Sequence, residues 1–370
     1  MLASTRSYEA STHTKTFGAS ATPTYSGNAY SDYGFIAVLG LAQRLKIDLL
    51  PITWQALLGL IGQSRARINQ ALLSIQTSFA FKRFDHDKKS NLFQEIVQEM
   101  AILGHPLVQG HPHIVNLIGI CWDILENNED TPKDDWDIST GIQVWPVLVF
   151  QKSHLGDLYS FAQSRKGKSL SLESKLKICA DVGIAIRDMH LNNIIHGDIK
   201  PQNVLMFKDG PGAYTAKVAD FGFSTHFRGE KDLINITTSV PWNAPEHHGR
   251  AFYPQDAKAM DVYSFGMLCL WLLFDVEASE TTPYHLETVN VAESFSFEGQ
   301  DWSKKGDALL LWKESDRLLD WATQLAAGDR RLKAEAKDRV TQFFQSSLCV
   351  DPQKRITDWR CILSFLDPAR

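Results

Sequence analysis

Residues 194–207 read "IIHGDIKPQNVLMF", in which one eight-residue loop, His196 to Asn203, gathers a histidine, an aspartate, a lysine and an asparagine directly ahead of a short apolar run. A carboxylate at Asp198, a cation at Lys200 and a metal-binding amide at Asn203 converge there. Any fold for this chain has to present the three together. With 370 residues there is room for one large two-lobed domain or two ordinary ones, and ample apolar content for a core.

A second stretch, "AKVADFGFS", places Asp220 just after another short strand-like run. An acidic oxygen beside an amide suits magnesium, which takes a few protein oxygens and completes its shell from phosphate. The combination predicts phosphoryl transfer, a chemistry in which the protein mainly positions the nucleophile and neutralises phosphate charge. Net charge is a modest −5 with Lys and Arg scattered, so the basic footprint of a nucleic-acid binder is missing. Cys121, Cys179, Cys269, Cys349 and Cys361 show neither disulfide-framework nor zinc-ligand spacing, and an intracellular, cytoplasmic or nuclear setting is expected. No leader peptide is expected, because no basic, apolar, small-residue pattern stands at residue 1. Of the two most apolar windows, "GFIAVLGLA" from Gly34 is broken by Gln43 and Arg44. The other, Phe265 to Phe274, is too short to span a bilayer and is expected as a buried core helix, so no membrane partner is predicted.

Residues 1–49 open Ser/Thr/Ala/Gly-rich without hydrophobic period and are assigned to a disordered tail. From Leu50 the pattern tightens: "ALLSIQTSFAFKRF" alternates like strands, "NLFQEIVQEMAIL" has helical spacing, and "HIVNLIGICW" and "VWPVLVF" are two more strands. The acidic "ENNEDTPKDDWDIST" between them is a solvated loop. "SLESKLKICADVGIAIRDMHL" then places Leu176, Cys179, Ile186 and Met189 on one helix face. A strand-rich lobe over 50–153 thus precedes a helical one over 154–370.

These pieces, in this order, resemble the eukaryotic protein kinase domain over residues 50–370. The resemblance implies an α+β, two-lobed fold: a small antiparallel-sheet lobe with one main helix, and a larger, mainly helical lobe. It implies Lys82 of "FAFK" on the ATP phosphates, Glu99 as its ion-pair partner with Glu95 as the alternative, and Gly62 in the phosphate-covering loop. The linker Gln151, Lys152 and Ser153 would hydrogen-bond adenine behind Phe150 as gatekeeper, with Leu205 also counted among the nucleotide contacts. Asp198 would accept the substrate hydroxyl proton, Lys200 would steady the transferred phosphate, and Asn203 and Asp220 would hold Mg2+. Glu246 of "APE" would brace against Arg355, and Asp261 would anchor the catalytic loop from below. ATP and Mg2+ are the implied cofactors and unidentified proteins the implied substrates; oligomeric state is not legible.

Two departures from the family pattern stand out. Gly197 occupies the place of an arginine that reads activation-loop phosphate, so activity independent of that modification is expected. In "IGQSRARI", Ser64 and Arg67 stand where further glycines belong, which keeps open a partner-binding pseudokinase. The H-G-D loop also keeps a small-molecule phosphotransferase as a remoter alternative. Pro201 after Lys200, and the hydroxyl of Ser239, resemble the serine/threonine-specific form. Of the remaining polar residues, His196 is expected as a packed core histidine, His111 and His113 as a loop feature, and His247 with His248 at the surface. Trp302, Trp312 and Trp321 are expected to pack the last helices.

Overall fold

Alternation in "SFAFKRF" sends Phe81 to one side of a strand and Lys82, with Ala80 and Phe84, to the other, and this parity organises the small lobe. The computed structural model describes residues 34–53, 66–72, 78–84, 92–126, 142–210, 212–247, 251–275 and 312–367. Five strands, β1 (Leu49–Thr53), β2 (Ala66–Leu72), β3 (Ser78–Phe84), β4 (Leu117–Glu126) and β5 (Ile142–Gln151), form one sheet in the order β1-β4-β5-β3-β2. Lys82 pairs in register with Leu148 of β5. On that side, Phe84 and Leu148 join the main core with Ile96 and Met100 of a helix over Leu92–Leu103. The opposite side buries Phe81, Cys121, Val147 and Val149 in a small cluster of their own.

The tail expected over 1–49 needs correction from Gly34 onward, while residues 1–33 lie outside the described residues. Residues Gly34–Leu45 form a helix, α1, which packs along the Leu92–Leu103 helix, here α2. Val38 and Ala42 are fully buried and Leu41 nearly so. Burying one such aliphatic side chain is worth about 1.5–3 kcal/mol, enough to order a helix this short against a partner. The chain then enters β1, which adds to β4 in parallel at the edge of an otherwise antiparallel sheet, and α1 stands beside the small lobe's main helix, α2. Gly62, Arg65, most of the 126–140 loop, His248 and Trp302 lie outside the described residues.

The large lobe is helical: α3 (Leu158–Gln163), α4 (Arg165–Lys168), α5 (Leu172–Leu191), α6 (Pro254–Leu270), α7 (Arg317–Gly328), α8 (Ala334–Ser347) and α9 (Trp359–Phe365). Three two-stranded ribbons serve its cleft side: β6 (Ile194–Ile195) with β9 (Thr225–His226), β7 (Val204–Lys208) with β8 (Tyr214–Val218), and β10 (Ile234–Asn235) with β11 (Ala251–Phe252). Ser171 caps α5 by accepting the Ser174 N–H at 3.2 Å. α6 continues into a π-helical turn, Trp271–Asp275. The resulting run, Pro254–Phe274, is longer than its most apolar stretch suggests and could span a membrane by length and composition, yet 94 % of its apolar window is buried in the fold. Trp312 and Trp321 pack edge-on, 6.2 Å between ring centroids.

Arg355 ties the segment ahead of α6 to the end of the domain. Its guanidinium donates to both Glu246 oxygens, at 2.5 and 2.8 Å, and to the carbonyls of Cys349, Val350 and Ala259. The Arg355 side chain is wholly buried, whereas Glu246 keeps some exposure. Arg355→Met should therefore lower stability by about 3 kcal/mol, the low end for breaking a buried pair because water can still reach the orphaned carboxylate. The shift in urea midpoint measures it.

Candidate active site

Three elements bring charge to one point. Lys82 of β3 donates to both oxygens of Glu99 on α2, at 2.8 and 2.7 Å, and to Oδ1 of Asp220 in the loop after β8, at 2.7 Å. Burial works to lower the Lys82 pKa, but the charges of Asp220 and Glu99 hold it above its ordinary value, so it stays an ammonium. Lys82 in turn draws the Asp220 carboxyl below the usual range. Glu99 goes the other way: burial raises its pKa, and the nearby Asp220 charge adds to that. Asp220 holds a left-handed backbone, φ 64°, which is strained for any residue with a Cβ. This strain is sustained by the contacts that hold its carboxylate toward Lys82.

Across the cleft, Asp198 is anchored on one oxygen and unbonded on the other. Its Oδ2 accepts from Lys200 Nζ at 2.8 Å and from Asn203 Nδ2 at 2.9 Å. Its Oδ1 is buried with no hydrogen-bond partner. Lys200 also donates to the Ser239 hydroxyl at 3.1 Å, which links the loop to the segment that ends at Glu246. Asn203 spends its amide hydrogens on Asp198, leaving its carbonyl oxygen to offer a cation.

The loop itself is hung from Asp261 on α6. That buried carboxylate accepts the backbone N–H groups of His196 at 2.9 Å and Gly197 at 3.0 Å, and Nε2 of His190 at 2.9 Å. His190 Nδ1 accepts from the Trp359 indole at 3.0 Å, so the ring is a neutral donor to Asp261. Burial alone would raise the Asp261 pKa; these hydrogen bonds outweigh it and lower it. His196 is fully buried, its Nε2 on the Ala219 carbonyl and its Nδ1 accepting the Asp198 N–H. Gly197 has φ +76°, and a Cβ there would sit 3.1 Å from the Phe223 carbonyl oxygen, so glycine suits this backbone.

Lys82, Glu95, Glu99, Asp198, Lys200, Asp220 and Ser239 line one cavity of about 310 Å³ between the lobes. Gln151, Lys152, Ser153 and Leu205 do not. Gln151 ends β5 and is exposed, and Ser153 is buried with its hydroxyl committed to the carbonyls of Gly156 and Met206. Leu205 is half-buried in β7 and bridges Asp157. That leaves main-chain groups, not the Ser153 hydroxyl, as the linker's means of holding a ligand. Among the described residues no group of three or more His, Cys, Asp or Glu gathers around a metal position. The Asp220 carboxylate, 29 % exposed, and the Asn203 carbonyl oxygen are the donors that fit a magnesium completed by phosphate oxygens.

Two residues differ from their expected places or were not singled out. His247, expected at the surface, is buried: it bonds the Ile236 carbonyl at 2.8 Å and the Thr238 hydroxyl at 3.1 Å, and so closes the segment onto itself. Lys313 is almost fully buried and donates to the carbonyls of Pro241 and Asn243. Burial pushes its pKa down to about 7. A lone lysine far along the chain carries no motif, so only the tertiary structure reveals it.

A model of the protein kinase domain matches residues 60–365. The chain belongs to the protein kinase domain family. It is 36 % identical over 183 residues to a probable serine/threonine-protein kinase of Dictyostelium discoideum, covering 49 % of this chain and 30 % of that one. Against PTI1-like tyrosine-protein kinase 2 of Arabidopsis thaliana, identity is 27 % over 228 residues, covering 58 % and 54 %. Against the liver/testis phosphorylase b kinase gamma catalytic chain of Rattus norvegicus it is 27 % over 179 residues, covering 48 % and 37 %. The matched region is thus about a third to about half of each relative.

The charge cluster makes a pH-dependent prediction. Lys82→Met leaves Glu99 buried beside Asp220 without a cation, which drives its folded-state pKa further above the ordinary 4.5. A raised carboxyl stabilises the fold below its unfolded pKa and loses that contribution as pH climbs through the folded value. Relative to the parent, Lys82→Met should therefore lose stability progressively as pH rises above the ordinary carboxyl value of 4.5, up to about 3–5 kcal/mol. Adding Glu99→Gln should restore most of it, as read from urea midpoints over the same rise in pH.

Proposed function

We propose that this kinase-family chain is an ATP- and magnesium-dependent protein serine/threonine kinase whose activity does not require phosphorylation of the segment between Asp220 and Glu246. The observation that carries this reading is the buried, unbonded Oδ1 of Asp198 beside a fully engaged Oδ2. A substrate hydroxyl can donate to Oδ1 and be held in line for attack, while Lys200, adjacent to both Asp198 and Ser239, faces charge developing on the transferred group. Magnesium, held by Asp220 and Asn203, would supply charge neutralisation of the phosphates. Lys82, fixed by Glu99, would meet the phosphates from the small lobe.

The Lys200–Ser239 contact supports serine or threonine as acceptor, since it matches the serine/threonine-specific pattern of the family, and one of the three relatives above is named accordingly. Another is named a tyrosine kinase, so the acceptor needs direct test. Independence from phosphorylation is supported by Gly197, which has no side chain to bind phosphate, and by neutral contacts along the segment. Besides the His247 and Lys313 contacts, Gln98 Nε2 donates to the Ser224 carbonyl at 2.8 Å. All five cysteines are free, which supports a reducing intracellular setting.

Thermal shift with ATP should rise only with magnesium present, and the rise should vanish in Asp220→Ala. Asp198→Asn should retain that shift while losing at least about a hundredfold in turnover. Phosphoamino-acid analysis should find label on serine or threonine, and phosphatase treatment should leave the rate unchanged. Label on tyrosine, or activity recovered only after segment phosphorylation, overturns the corresponding part. No magnesium-dependent shift at millimolar ATP moves the reading to a kinase fold that only binds partners.

A further inference from the structure

Glu99 reaches Lys82 only if α2 sits against the sheet, and α2 is held from outside as well as inside. Its cleft side carries Glu95 and Glu99, which line the cavity, and Gln98, which bonds the Ser224 carbonyl. Phe93, Val97, Met100 and Gly104 recur at i, i+4, i+7 and i+11, a stripe on the other side of the helix. Val97 and Met100 are buried all the same.

What covers that stripe is α1. A Cβ on Gly34, at the start of α1, would lie 3.8 Å from the Phe93 ring, and one on Gly104, just past the end of α2, would lie 2.6 Å from Leu45 Cδ1. The two twelve-residue helices therefore run side by side in the same direction for their full length. Gly104 has no room for a side chain because Leu45 fills it. The connection to the sheet is equally close. The Ile120 N–H donates to the Asp48 carbonyl at 2.8 Å, a Cβ on Gly119 would meet that same oxygen at 2.6 Å, and Phe35 packs against Trp122 with ring centroids 5.5 Å apart. Gln109 closes the far end on the Leu45 carbonyl at 3.1 Å.

We propose that residues 34–53 are a built-in strap that positions Glu99: by covering the outer stripe of α2, α1 presses the helix onto the sheet and keeps the Lys82–Glu99 pair closed without a separate activating partner. Val38 and Leu41 are its positioning residues. They touch neither nucleotide nor substrate and act through α2. The inference rests on the kinase reading for its consequence in turnover, but the coupling of α1 to α2 stands apart from it.

Full-length Leu41→Asp and Val38→Asp are compared with Ile36→Asp, on the exposed side of α1. The buried substitutions should lower kcat at least about tenfold with the peptide KM unchanged, speed amide exchange across α2 and leave α6 protected, whereas Ile36→Asp should change none of these. In a Glu99→Gln background the further loss from Leu41→Asp should shrink to under about twofold, because both changes disable one device. If the charged variants also lose α6 protection, Leu41→Ala carries the same cycle. Unchanged α2 exchange and kcat, or an equal loss with and without Glu99, overturns the proposal. A parent without turnover sinks the phosphotransfer reading alone, and exchange at α2 then decides the strap.

Discussion

One ammonium buried between two carboxylates sets the geometry of this molecule. Lys82 comes from the sheet, Glu99 from α2 and Asp220 from the large lobe, so the cluster is complete only when three elements meet. An isolated charge at that depth costs several kcal/mol, and pairing compensates only in good geometry. One positive and two negative charges leave an excess of one negative. Burial dominates at Glu99 and raises it, whereas the Lys82 charge dominates at Asp220 and lowers it, and the excess negative charge makes the exposed edge of Asp220 a place for a cation.

The large lobe solves a different problem, that of holding the Asp198 carboxylate still while leaving one of its oxygens unbonded. Asp261 does the holding by gathering two consecutive backbone N–H groups and a histidine, and α6 is stiff because it is buried around almost its whole circumference. His196 spends both ring nitrogens on the backbone. The loop is therefore rigid below and open above. Two left-handed positions beside the cleft, Gly197 in this loop and Asp220 in the loop after β8, are treated differently: glycine removes the strain at one, and charge pairing sustains it at the other.

Substrate-side order follows from the same economy of means. Ser239, His247 and Lys313 bind the segment before Glu246 through a hydroxyl, an imidazole and main-chain carbonyls, none of which needs a phosphate. Glu246 and Arg355 then fix its end to the helices below. On the opposite side of the molecule, α1 and β1 close the small lobe around α2. Both ends of the cleft are thus held by contacts the chain makes with itself.

Much of this was legible in the chain alone where the signal is local. The 196–203 loop, the D-F-G triplet around Asp220 and the strand alternation about Lys82 are contiguous patterns whose residues act close to where they stand in sequence, and family membership follows from their order. The tail boundary was misread because twelve apolar-patterned residues after a Ser/Thr-rich stretch carry too little propensity to announce a helix; their burial depends on Phe93, Val97, Met100 and Gly104, which lie far along the chain. His247 and Lys313 gave no sign because a single polar residue is neutral evidence until its surroundings are known. Sequence by itself thus determined the kinase family, the identity of the charged groups and the chemistry they can perform. Only the tertiary structure decided which oxygen of Asp198 stays free, how Lys82 divides itself between Glu99 and the Asp220 that lies 138 positions away, and what holds α2 in place. The contacts that place these groups, 2.7 to 3.1 Å long, include pairs 17, 39 and 138 positions apart that no sequence spacing brings together.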